Sequence, residues 1–99
     1  MSRRPRRPPD RLLRRTVAVT NRKGLHARAA AKFVKCAERF EAEIVVVKQD
    51  IAVSGRSIMG LMLLAAAPGS EIEIRARGAD ARAALKAIAA LVAAKFDED

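Results

Sequence analysis

The chain has 99 residues, one histidine, one cysteine and a net charge of +9. That length holds one small domain, and the lone cysteine excludes an internal disulfide and favours a reducing compartment. One His and one Cys do not make a zinc site, and no apolar run approaches the ~18 residues that span a bilayer. No metal, cofactor or membrane insertion is expected, and the location expected is cytoplasmic.

Charge is uneven. Residues 1–15 carry seven Arg and one Asp, while residues 16–99 carry 13 Lys and Arg against 10 Asp and Glu. Residues 1–14, with Arg3-Arg4-Pro5-Arg6-Arg7-Pro8-Pro9 at their centre, offer little apolar surface to bury and read as a basic, disordered arm. The domain is expected over 15–99.

Thr16 to Thr20 alternates, with Val17 and Val19 on one face, and predicts a strand. Asn21-Arg22-Lys23-Gly24 is a turn. From Ala27 to Arg39 the period becomes helical: Ala27, Ala30, Ala31, Val34 and Ala37 share a face flanked by Phe33 and Phe40. Glu43–Lys48 is β-branched and strand-like. Gln49-Asp50 turns it back into Ile51–Val53, which makes a hairpin. Ser57 is placed to cap a short helix over Ile58–Leu64. Ser70–Arg77 alternates with Ile72, Ile74 and Ala76 inward. A final helix over Asp80–Lys95 carries the stripe Ala81, Ala84, Leu85, Ile88, Leu91, Val92 and Phe96. The order β-α-β-β-α-β-α predicts an α+β fold: a two-layer open-faced sandwich with a four-stranded antiparallel sheet and three helices on one face.

His26 stands where the turn meets the first helix. The opening amides of a helix lack intrahelical partners and favour an anion. Gly24 permits close backbone approach, Ala27 and Ala29 belong to the first turn, and Arg28 offers a planar cationic fork to phosphate oxygens. These residues suit a phosphoryl group carried on the imidazole. The plainer reading of a lone histidine beside a turn is a surface or capping residue with no chemistry, and elementary physics alone does not overturn it.

Gly24-Leu25-His26-Ala27-Arg28-Ala29-Ala30-Ala31-Lys32-Phe33-Val34 resembles the active-site signature G-L-H-[AT]-R-P-A-A of the HPr family. Those proteins are histidine-containing phosphocarriers of the phosphoenolpyruvate-dependent phosphotransferase system. Val53-Ser54-Gly55-Arg56-Ser57-Ile58-Met59-Gly60-Leu61-Met62 is similar to that family's K-S-I-M-G-L-M segment, and the resemblance covers residues 14–99. It implies a covalent carrier rather than an enzyme. Enzyme I would phosphorylate His26 at Nδ1 with Arg28 assisting, and an enzyme IIA-type protein would accept the group. It also implies regulation at Ser57 by an HPr kinase/phosphorylase, and docking through Arg56, Ile58, Met59 and Met62. A monomer is expected. Two departures stand out: Ala29 replaces the usual proline, and the arm precedes the first strand. Two other readings compete. One is a regulatory protein acting mainly through Ser57. The other is a polyanion-binding module using the arm, although the modest charge of the folded part disfavours nucleic acid as a partner.

Overall fold

The computed structural model describes residues 11–98. In chain order these form β1 (Leu13–Ala18), α1 (Ala27–Ala37), β2 (Glu43–Lys48), β3 (Ile51–Ser54), α2 (Ile58–Leu63), β4 (Glu71–Arg77) and α3 (Ala81–Ala93), followed by a 3-10 turn over Lys95–Asp97. The sheet order is β1-β4-β2-β3 and every pairing is antiparallel. β1 and β2 both flank β4, so α1 crosses over β4. β3 and β4 both flank β2, so α2 crosses over β2. The predicted architecture is the observed one.

The strand pattern explains the layering. Ile44, Val46, Ile72, Ile74 and Ala76 point to the helices and are buried. Glu43, Glu71 and Arg77 are exposed at their strand ends, and Arg75 pairs with Glu73 at 2.7 Å. α1 contributes Ala29, Ala30, Phe33, Val34, Cys36 and Ala37, and α3 contributes Ala84, Leu85, Ile88 and Val92. Leu61 and Leu64 complete the core from α2. Alanine on the facing helix surfaces keeps α1 and α3 close to the sheet. Phe33 and Phe96, both fully buried, supply the bulk.

Three expectations shift. β1 begins at Leu13 rather than Thr16, so Leu13 and Arg14 lie in the sheet and not in the expected arm; residues 1–10 of that arm lie outside the described residues. Ala27, placed on the buried face of α1, is exposed, and Cys36 takes part in the core instead. α3 runs over Ala81–Ala93 rather than Asp80–Lys95, and Asp80 stands at its N-cap position, where its Oδ2 accepts from the Glu41 amide at 2.7 Å and its amide donates to Glu41 O at 3.0 Å.

Candidate functional site

His26 is the N-cap of α1, with extended backbone angles (φ −79°, ψ 180°). The loop before it is pinned on both sides. Gly24 adopts φ +64°, its carbonyl accepts from Asn21 Nδ2 at 2.8 Å, and it also accepts from the His26 amide at 2.9 Å. The Leu25 amide donates to Ala66 O at 3.0 Å, tying the histidine loop to the segment that follows α2. A left-handed residue is needed at position 24, and the Ala66 carbonyl leaves no room there for a side chain, which explains the glycine.

The first α-helical bond of α1 runs from the Ala30 amide to His26 O at 2.8 Å. The amides of Ala27, Arg28 and Ala29 therefore have no intrahelical acceptor. In this chain all three are present, since Ala29 carries the N–H that the family's proline lacks. Arg28 is exposed and Ala29 buried. The result is a cluster of donors with a cationic side chain at the positive end of a helix, beside an imidazole whose side chain is 25% exposed.

A carboxylate completes the site. His26 Nε2 lies 2.8 Å from Glu98 Oε1, and the Glu98 side chain is 12% exposed. Three consecutive left-handed residues, Lys95 (φ 57°), Phe96 (φ 55°) and Asp97 (φ 59°), turn the chain back from the end of α3. Left-handed angles cost roughly 1–2 kcal/mol per non-glycine residue. Complete burial of Phe96 and a 2.7 Å hydrogen bond from Lys32 Nζ to Phe96 O offset that cost. The hydrogen bond from His26 holds the Glu98 carboxyl below its ordinary value, against the cost of desolvation and with help from the charges of His26, Lys32 and Arg28. No local sequence signal marked Glu98, because 72 positions separate it from His26.

The second motif lies beside the first. Ser57 caps α2, its Oγ accepting from the Gly60 amide at 2.9 Å, as its sequence position suggested. Met59 is 76% and Leu63 71% exposed, and Ile58 and Met62 are also exposed. A six-residue helix has one narrow inward face, which Leu61 occupies with the C-cap residue Leu64 just beyond it, so the other large side chains face out. Leu63 joins this patch unannounced by the sequence reading. Arg56, expected in docking, is exposed and also has a structural part. Its guanidinium donates to Ala42 O (3.0 Å), Ala37 O (3.3 Å) and Phe40 O (2.8 Å), so it clasps the end of α1 to the start of β2 rather than standing as a free charge. Cys36 is buried, and burial pushes its thiol pKa up despite the pull of Arg39. That marks it as a packing residue.

The family model of the PTS HPr component phosphorylation site matches residues 13–94. The chain belongs to the HPr family. A phosphocarrier protein HPr of Neisseria meningitidis is 45% identical over 87 residues, covering 88% of this chain and 98% of the relative. A phosphocarrier protein NPr of Shewanella violacea is 48% identical over 86 residues, covering 87% and 94%. The crystal structure of an HPr from Thermoanaerobacter tengcongensis superposes with a TM-score of 0.84 at 39% identity, covering 88% of this chain and 98% of that one. That family is the HPr phosphocarriers of the phosphotransferase system. No helix among the described residues is long and apolar enough to cross a membrane, and no group of three or more metal-ligating side chains occurs among them.

Proposed function

We propose that this HPr-family chain accepts a phosphoryl group on His26 from phosphorylated enzyme I, in the cytoplasm, and passes it to an enzyme IIA-type acceptor. The observation that carries this reading is the placement of His26 at the N-cap of α1. There the amides of Ala27, Arg28 and Ala29 and the Arg28 guanidinium can receive phosphate oxygens. Interactions of this kind stabilise the carried charge without enclosing it, so a partner can reach the phosphorus. The apolar patch of Ile58, Met59, Met62 and Leu63 gives such partners a surface, and flexible methionines adapt to more than one of them. Incubation with phosphoenolpyruvate and enzyme I yields an acid-labile phosphoprotein with the wild type and none with His26→Ala. Equal labelling of the two proteins would refute the assignment.

A regulatory role for Ser57 is supported by its position. A phosphoserine at the start of α2 is favoured by the free helix amides and adds negative charge next to the apolar patch. An HPr kinase/phosphorylase would modify the wild type and His26→Ala alike and leave Ser57→Ala unmodified. Phosphate incorporation into Ser57→Ala would overturn this second reading.

A further inference from the structure

Among the described residues β1 is an edge strand: it bonds to β4 on one side and to no strand on the other. Between β1 and α3 lies a groove of about 640 Å³. Its floor is apolar, built from the partly exposed Leu13 and from Leu85 and Ala89 on one stripe of α3. Its rim is cationic. Arg14 and Arg15 stand on the strand, Arg82 and Lys86 stand one turn apart on the helix, and all four are exposed. No carboxylate lines the groove among the described residues, and none of the four cationic side chains has a hydrogen bond or ion pair with another described residue. His26, Arg28, Glu98 and the exposed side chains of α2 take no part in it.

Charged side chains on an edge strand guard against association between sheets, which accounts for Arg14 and Arg15. It does not account for Arg82 and Lys86 on the facing helix. Like charges at that i, i+4 spacing weaken a helix, so their presence has no local structural benefit. Nor does it account for an apolar floor left uncovered between two cationic walls.

We propose that the β1–α3 groove docks an acidic, extended segment of a partner protein. The backbone of that segment adds to the free edge of β1, its carboxylates meet the four cations, and small apolar side chains between them lie on the floor. This reading goes beyond the carrier role of His26 and does not depend on it. Charge chooses among the occupants. Residues 1–10 of this chain carry Arg3, Arg4, Arg6 and Arg7 against Asp10, the same sign as the rim. A second copy in a twofold contact would set the same cations against one another. A single-stranded nucleic acid has no stacking platform here, since no aromatic ring lines the groove.

The probe is a fluorescein-labelled peptide, Glu-Val-Glu-Val-Glu-Val, titrated with the full chain at low ionic strength and followed by anisotropy. Binding is expected to weaken as salt rises. Glu-Gly-Glu-Gly-Glu-Gly, with the same charge and nothing for the floor, is expected to bind more weakly. The double variant Arg82→Glu/Lys86→Glu loses about tenfold in affinity, because two attractions become repulsions. Lys35→Glu/Arg39→Glu, with the same change in net charge on another helix, keeps most of it. Circular dichroism melts establish that both variants are folded, and phosphorylation of His26 by enzyme I is unchanged in Arg82→Glu/Lys86→Glu. Amide shifts in nitrogen-15 NMR are expected along β1 and the first turns of α3. Shifts confined to α2, equal losses in the two double variants, equal binding of the glycine peptide, or tighter binding of a thymidine oligonucleotide of equal charge each overturn the proposal.

Discussion

Gly24→Ala tests how the fold holds the histidine loop. Gly24 has φ +64°, and a Cβ there would run into Ala66 O and lie 3.2 Å from Ala67 Cα. Both obstacles are backbone atoms, so no rotamer change relieves the clash. The conformational penalty is roughly 1–2 kcal/mol. Displacing Ala66 O also breaks its hydrogen bond from the buried Leu25 amide, which costs about 1–3 kcal/mol more. The total, about 2–5 kcal/mol, is a large part of the ~5–15 kcal/mol that a domain commands. A loss of ~3 kcal/mol lowers Tm by roughly 12–24 °C for a domain of this size. Gly69→Ala is the control: its φ is +93°, but a Cβ there meets nothing within 4 Å. Thermal and urea unfolding followed by circular dichroism compare the two variants. If Gly24→Ala loses no more stability than Gly69→Ala, the packing of Ala66 against the histidine loop is not the constraint described. Because the His26 amide donates to Gly24 O, phosphoryl acceptance by Gly24→Ala should also fall at temperatures where it remains folded.

Other outcomes follow from single contacts. Ser57→Ala removes the α2 cap and lowers stability by about 1 kcal/mol in urea unfolding, whereas Ser57→Asp retains most of it. Arg56→Lys cannot reach three carbonyls with one ammonium and loses about 1–2 kcal/mol, a loss that an unchanged urea midpoint would contradict. The Glu98 carboxyl, followed by carbon-13 NMR, titrates below 4.5 in the wild type and moves back towards it in His26→Ala. The sign is that of a depressed carboxylate. Its contribution to stability is present above 4.5 and is lost as pH falls through the lower folded value, so wild type and Glu98→Gln converge in stability at acid pH.

The sheet was legible because its buried strands announce themselves. Ile72, Ile74 and Ala76 alternate cleanly, and Gln49-Asp50 interrupts two β-branched runs at the hairpin turn. The start of β1 was not, because edge pairing with β4 depends on backbone hydrogen bonds and tolerates Arg14 and Arg15, whose side chains face solvent. The histidine loop and the α2 cap are local, so Gly24, His26, Arg28 and Ser57 could be found from spacing and resemblance. Arg56 and Glu98 act across the fold. The three carbonyls that Arg56 reaches lie 14 to 19 positions away. Glu98 reaches His26 through left-handed angles at Lys95, Phe96 and Asp97, where no glycine signals a turn. Ile58, expected on the docking surface, is exposed, because the six-residue α2 offers only a narrow inward face.

The central claim is that His26 carries the phosphoryl group. Phosphorus–nitrogen correlation NMR of the full chain, recorded after incubation with phosphoenolpyruvate and enzyme I, measures it directly. One phosphorus coupled to the His26 imidazole, lost on mild acid treatment and absent from His26→Ala, is the predicted result. A phosphate on Ser57, or one that persists in His26→Ala, would contradict it.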